Sequence, residues 1–402
     1  MRKVTGPLQG IRIVDMTSVL MGPFATQILA DYGADVIKIE SAEGDLLRLG
    51  GALRNPGMGS LYLQTNRNKR SVVLDAKMAA GRASLLALCA DAEVFVSNIR
   101  PAAMKRLDLS YEDVKAVNPG IIYVSLVGYG QDGPYKDRPA YDDLIQGITA
   151  IPSLIGRTQH GDPQYVPITL ADKVAGLSAA HAILAALVYK GRTGTGQSVE
   201  VPMFEIMSQF VLTDHMGGQC FDPPIGPAGY NRLLSPDRRP YQTRDGFISA
   251  LVYTDEHWRR FFELIGRPEE FHGSPMFHDH ATRTRSYDEV YRFIAKEMKT
   301  KTTGEWQDAF ERHDIPWAPT HSVEDLIDDP HLRAVELLQT IDHPTEGRLR
   351  MIAPPIKFGA TPASIYRHPP SLGEHTAEVL GELARATAAS APASTRQVTE
   401  SL

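Results

Sequence analysis

An aspartate stands where two kinds of sequence meet. The stretch Pro167-Ile168-Thr169-Leu170-Ala171-Asp172-Lys173-Val174-Ala175-Gly176 sets Asp172 between an apolar run and a small-residue segment, Leu177 to Tyr189, whose composition predicts a buried helix. An Asp just ahead of a helix most often serves as its N-cap, its carboxylate accepting from the free backbone N–H groups of the first turn. The same position can hold a carboxylate ionised and aimed at a ligand, because a helix N-terminus favours negative charge. Local sequence leaves both roles open for Asp172.

Further candidates gather where strands should end. Ile11 to Asp15 reads as a strand, Gly22-Pro23 opens a helix through Asp31, and Ala34 to Glu40 reads as the next strand. Ser71 to Leu74, Glu93 to Ser97 and Ile121 to Leu126 continue the strands, with a helix over Gly81 to Cys89. Such alternation predicts a parallel sheet covered on both faces, with ligands beyond the carboxyl ends of its strands. At those ends stand Thr17-Ser18, Asp75-Ala76-Lys77, Asn98-Ile99-Arg100-Pro101 and Gly128-Tyr129-Gly130. Basic side chains and turn backbone on one edge suit a phosphate-bearing ligand. Taken singly, Lys77, Arg100 and Arg106 fit solvated surface charges equally well.

Two phosphate-binding motifs are weighed and set aside. The first β-α-β unit ends in Glu40, as a dinucleotide fold would, but its turn, Thr17-Ser18-Val19-Leu20-Met21-Gly22-Pro23, has one glycine where G-x-G-x-x-G is required. The glycines of Gly191-Arg192-Thr193-Gly194-Thr195-Gly196-Gln197 follow a helix and precede a strand, the reverse of a P-loop, so they read as a C-cap and turn.

Composition narrows the class. With 402 residues there is length for two domains, and a net charge of −6 leaves no basic footprint for nucleic acid. The first ten residues lack a signal-peptide apolar run and no window approaches 18 consecutive apolar residues, so we expect a cytoplasmic protein with no membrane partner. Cys89 and Cys220 lie in no CxxC or Cys/His cluster and read as reduced thiols. The stretch between Cys220 and Pro240 is proline-rich, as a linker or an active-site loop would be. We therefore expect an α/β protein with a large Rossmann-like domain over 1–220, a smaller α+β domain over 225–330, a return to the large domain over 331–384, and a disordered tail over 385–402.

Nine stretches in order resemble the family III CoA-transferases, the group typified by formyl-CoA transferase and including the α-methylacyl-CoA racemases. They are LQGIRIVDMTSVLMGPFATQILADYGADVIKIE, Gly44-Asp45, NRNKRSVVLDAK, VFVSNIRP, NPGIIYVSLVGYGQDGPY, Ala171-Asp172, GTGQSVEVPMFE, DIPWAPTHSVEDLIDDPHL and PPSLGEHT. The resemblance implies a homodimer of interlocked rings, acyl-CoA and a carboxylic acid as substrates, and no permanently bound cofactor or metal. It implies that Asp172 is the catalytic aspartate, passing through a mixed anhydride and an aspartyl-CoA thioester. It assigns coenzyme A contacts to Ser18, Val19, Leu74, Lys77, Asn98, Ile99, Arg100 and Arg106, with Tyr141 in the site.

Departures from the family pattern narrow the chemistry. Ser18, Leu20 and Ser41 stand where formyl-CoA transferase has histidine, glutamine and arginine. Tyr141 stands where the racemase branch places a histidine base, and a phenol with a pKa near 10 is a poor proton acceptor at neutral pH. Hydrogen bonding in the site and core packing both remain open for Tyr141. Arg232, Arg238 and Arg239 are candidates for pairing with the far carboxylate of a dicarboxylic acid, and also fit exposed loop charges.

Overall fold

The computed structural model of the protein describes residues 4–390. The elements, in chain order, are β1 (Arg12–Met16), α1 (Met21–Asp31), β2 (Asp35–Glu40), α2 (Ser60–Thr65), β3 (Lys69–Val73), α3 (Ala79–Ala90), β4 (Val94–Ser97), α4 (Pro101–Arg106), α5 (Tyr111–Val117), β5 (Ile122–Val127), α6 (Asp142–Ile148), α7 (Ile151–Gln159), α8 (Leu170–Thr193) and β6 (Ser198–Pro202). The six strands form one parallel sheet ordered β3-β2-β1-β4-β5-β6. Strand order reverses between β1 and β4, and a crevice opens beyond the carboxyl ends of a parallel sheet at such a point.

Alternation within the strands gives the sheet two unlike faces. Val14, Ile37, Ile39, Val72 and Phe95 point into an apolar core with Leu85, Leu88 and Cys89 of α3, Met104 of α4 and Val114 of α5. The opposite face carries charge where solvent is excluded: Asp15, Lys38 and Lys69 are each 0% exposed. In the register of the sheet Asp15 lies beside Lys38, and Lys38 beside Ser71. Buried charges persist only when paired and hydrogen-bonded, and these are.

Helix α8 departs from its expected limits in a way that matters. It begins at Leu170 and runs to Thr193, so Asp172 is the third residue inside the helix and Thr169 occupies the N-cap position. Of the two roles left open for Asp172, the N-cap is therefore removed. The helix is buried along one stripe only: Ala171, Ala175, Gly176, Ala179, Ala180, Ile183 and Ala186 are buried, whereas Leu177, Val188 and Tyr189 are exposed. Among the described residues α8 is the one helix long and apolar enough to cross a membrane; its small-residue stripe instead packs against α1 within the unit. Gly194, left-handed at φ 72°, ends α8 as the expected glycine cap.

The chain divides into two compact units. The larger takes in the chain up to Ile148, Pro167–Ser208 and the chain from Pro330; the smaller takes in Thr149–Val166 and Gln209–Asp329. The division thus falls earlier than the expected boundary near 220, and α7 joins the smaller unit. That unit combines a three-stranded antiparallel sheet, Tyr241–Gln242, Phe247–Ala250 and Trp317–Pro319, with helices around an aromatic core of Trp258, Phe261, Phe262, Trp306 and Phe310. In the larger unit the return segment forms an antiparallel hairpin, Leu338–His343 with Gly347–Ile352, and ends in a helix, Thr376–Ser390. That helix overturns the expected disorder for 385–390, and the rest of the expected tail lies outside the described residues.

The approach of α1 to α8 generates a prediction. A Cβ added at Gly176 would sit 2.8 Å from the Met21 carbonyl oxygen and 3.1 Å from a ring carbon of Phe24. Gly176→Val should destabilise the protein by roughly 1–3 kcal/mol, the usual cost of overpacking, read as a lower urea midpoint at unchanged m-value.

Candidate active site

The turn after β1 is the centre of the site, and buried charges fix it. Lys38 Nζ donates to the Thr17 carbonyl at 2.8 Å and pairs with Asp45 Oδ2 at 2.8 Å. Asp45 Oδ1 in turn accepts from the Val19 N–H at 3.0 Å. Below them, Asp15 accepts from the Thr17 N–H and hydroxyl at 2.9 and 2.5 Å, and from Thr26 Oγ1 at 2.6 Å. Lys69 Nζ reaches Asp15 at 3.3 Å, the Pro23 carbonyl at 2.9 Å and Asn66 at 2.9 Å. Burial works against the Lys38 charge, but Asp45, Asp15 and Glu40 outweigh it and raise its pKa. Lys69, buried and near Lys38, is pushed down to about 8 despite Asp15.

This bracing holds a strained backbone. Val19 has φ +67°, the left-handed region that a β-branched residue rarely enters. Asn98, at the end of β4, closes the turn from the other side: Oδ1 accepts from the Ser18 N–H at 3.0 Å and Nδ2 donates to the Ser18 carbonyl at 2.8 Å. Such strain persists only where the surroundings over-determine it, and it clusters at functional sites. Glu40, which a dinucleotide site would set on a ribose, is consumed by Arg48 at 2.8 and 2.7 Å, by Ser71 at 2.6 Å and by the Asp45 N–H at 3.1 Å.

Two cavities open on either side of this turn and share Ser18. The first, about 320 Å3, is lined by Ser18, Val19, Asn98, Arg100, Tyr141 and Asp172, together with Lys136 and Arg138. The second, about 270 Å3, is lined by Ser18, Leu74, Lys77 and Ile99. Of the ten residues that the resemblance places in the site, nine therefore line one cavity or the other. Arg106 lines neither; it is exposed at the end of α4. Tyr141 is 64% exposed, which removes core packing as its role. Arg232, Arg238 and Arg239 belong to the smaller unit, where Arg232 donates to Tyr291 Oη at 3.0 Å.

Asp172 has an unusual setting for a first-turn acid. Its own backbone N–H, one of the helix's unpaired donors, goes to Asp142 Oδ1 at 3.1 Å. Asp142 Oδ2 accepts from Gln146 Nε2 at 2.6 Å. Burial and the neighbouring Asp142 and Asp143, partly offset by Lys173, raise the Asp172 pKa from 3.8 to about 6. The carboxylate at the cavity wall is thus more basic than an ordinary one, yet ionised at neutral pH. A partly desolvated, basic oxygen nucleophile is what attack on a carbonyl carbon requires.

Sequence reasoning gave no role to Lys38, Asp45, Asp142, Lys136 or Arg138, although Gly44-Asp45 was among the stretches of the resemblance. An acid opening α6 was visible, but not that it would cap a different helix. For Lys38 the available signal was a lysine inside an otherwise apolar strand, Val36-Ile37-Lys38-Ile39, since a fully buried lysine is rare unless paired.

Two outcomes follow. Asp45→Ala leaves Lys38 buried without its ion pair and frees the Val19 N–H; we expect a loss of about 3–5 kcal/mol, measured by urea unfolding. Asp172→Asn should behave in the opposite way. The folded-state pKa of Asp172 is raised, so the stability it contributes is complete below the unfolded value and is lost as pH climbs through about 6. Asparagine cannot ionise, so Asp172→Asn should be more stable than the parent at about pH 8, by roughly 1–3 kcal/mol, with the gap closing below about pH 4. A role as helix cap predicts a loss instead.

Comparison with known proteins agrees with this geometry. The model for CoA-transferase family III matches residues 8–376. An acyl-CoA transferase of Fusarium pseudograminearum is 35% identical, over 94% of this chain and 85% of its own. The human succinyl-CoA:glutarate CoA-transferase is 31% identical over 94% and 86%. The crystal structure of Rv3272 from Mycobacterium tuberculosis superposes with a TM-score of 0.80 at 28% identity, covering 93% of this chain and 99% of that one. A match over nearly the whole length, on a fold whose strand ends build the two cavities, makes this chain a member of CoA-transferase family III.

Proposed function

We propose that the protein moves coenzyme A from an acyl-CoA donor to a carboxylic acid acceptor through covalent intermediates on Asp172. The observation that carries this reading is a single basic carboxylate on the wall of a cavity ringed by cationic and turn-backbone groups. An Asp172 oxygen attacks the donor thioester carbon, the C–S bond breaks, and a mixed anhydride and CoA thiolate result. The thiolate attacks the aspartyl carbonyl and expels the donor acid, leaving an aspartyl-CoA thioester. The acceptor carboxylate attacks that thioester, giving a second anhydride and free thiolate, which takes the acceptor's acyl group and restores Asp172. Each step exchanges one acyl bond for another, so the thioester's energy is kept as long as water is excluded.

The two cavities suit the two ends of such a donor. We assign the nucleotide end to the cavity of Leu74, Lys77 and Ile99, and the pantetheine and acyl end to that of Asp172, with Ser18 and Val19 at the join. Asn98 acts by holding the Ser18 turn, and Arg100 offers charge at the cavity mouth. Helix α1 has no side-chain cap at Leu20, and Leu20 and Met21 line the cavity. Its first-turn N–H groups are suited to a developing oxyanion. Lys136 and Arg138 on the same wall favour a dicarboxylic acyl group, in keeping with the name of the human relative. We further propose the interlocked homodimer implied by the family resemblance.

Asp172→Ala should reduce transfer from succinyl-CoA to a dicarboxylic acid by at least about a thousandfold, as loss of a covalent nucleophile does. The acid limb of kcat/KM in the parent should fall near pH 6, where Asp172 takes up a proton. Undiminished turnover in Asp172→Ala would remove Asp172 from the chemistry.

A further inference from the structure

An aspartate at the third position of a helix ordinarily folds back onto the free amides of its own first turn, and in doing so loses basicity and mobility. In α8 the N-cap residue Thr169 makes no side-chain cap bond, and the Asp172 N–H that it would ordinarily take goes to another residue. Asp142, 8% exposed, reaches across from the start of α6 and accepts from the Asp172 N–H at 3.1 Å. Its second oxygen is held by Gln146, itself 0% exposed, at 2.6 Å. Both Asp142 oxygens are thereby fixed, and neither helix has to move for the contact to persist. Asp142 does not line the cavity, whereas its neighbour Tyr141 and its partner Asp172 do.

We propose that Asp142 is a positioning residue for the transfer: by capping α8 in place of Thr169 it pins the first turn that carries Asp172 at the cavity wall, and its charge beside the Asp172 carboxylate makes that carboxylate a stronger nucleophile. The proposal rests on the reading of Asp172 as the nucleophile. Asp142 acts on the reaction in two ways, through the hydrogen bond that anchors the Asp172 backbone and through its negative charge beside the carboxylate. The other charges around Asp172 are Asp143 on α6, Lys173 on α8 itself, and Arg100, Lys136 and Arg138 on the cavity wall, with the Tyr141 phenol beside them. The first turn of α1 brings no acidic group. Of these, Asp142 alone bonds to the backbone of the nucleophile's residue.

Asp142→Asn keeps a cap acceptor and removes the charge, with Gln146 able to turn its amide over. Asp142→Ser, shorter but also a good cap, repeats the test without a second amide. We expect the acid limb of kcat/KM to move down by about one pH unit, and kcat to fall by about tenfold with KM little changed, since no substrate contact is lost. A merely structural role would leave the limb where it is. A second readout needs no turnover: the gain in melting temperature on Asp172→Asn at about pH 8 should be clearly smaller in the Asp142→Asn background than in the parent. An unchanged acid limb and an unchanged gain would overturn the proposal. A parent protein without transfer would overturn the reading on which it rests, and its own assay tells that outcome apart.

Discussion

The ion pair between Lys38 and Asp45 is the constraint on which the catalytic edge depends. Both side chains are almost wholly shielded from solvent, at 0% and 1% exposure, so the pair has nowhere to dissociate to. A buried pair of this kind adds little net stability over an apolar substitute, yet breaking it is costly because one charge is left uncompensated. Its use is geometric. Lys38 holds the Thr17 carbonyl and Asp45 the Val19 N–H, which fixes the two ends of a turn whose middle residue offers Ser18 to both cavities. The left-handed conformation of Val19 is maintained by these bonds and by the Asn98 side chain, where an isolated chain would relax it.

From that fixed turn the rest of the site follows by packing. Strand order reverses between β1 and β4, so their carboxyl ends diverge and leave a crevice. Helix α1 starts at its rim, and the small residues of α8 allow that helix to approach until Gly176 meets the Met21 carbonyl. The close approach brings the first turn of α8, and Asp172 with it, to the wall of the same cavity. Asp142 completes the arrangement by capping α8 from α6. The apolar face of the sheet carries the core and, through Ile39, Leu74 and Ile99, also lines the second cavity, while the buried charges of the opposite face hold the turn between the two cavities.

How much of this was legible varies with the physical range of the signal. Strand and helix alternation is local and periodic, and β1, β2, β4 and β5 fall within a residue or two of where the pattern set them. Asp172 stood out because an acid beside a small-residue stretch is a local anomaly, but its register was misjudged: the helix begins at Leu170, ahead of the small residues, and the start signal, Thr169 followed three residues on by Asp172, was passed over for the acid itself. Asn98 was singled out for a ligand, and its side chain is spent on Ser18. The bonds of Lys38 with Asp45 and of Asp142 with Asp172 span 7 and 30 positions in sequence, and no periodicity reports such pairings. The smaller unit's boundary was also hidden, since α7 joins it from a distant part of the chain.

Transfer by this route requires that Asp172 become covalently linked to substrate. The most direct measurement is peptide mass spectrometry of the full-length protein, quenched in acid during turnover with succinyl-CoA and with hydroxylamine as a trap. We predict a coenzyme A adduct on the peptide containing Asp172, converted by hydroxylamine to the aspartyl hydroxamate at that residue, and absent from Asp172→Asn. Steady transfer by the parent protein with Asp172 unmodified, or with the adduct on another residue, would contradict it.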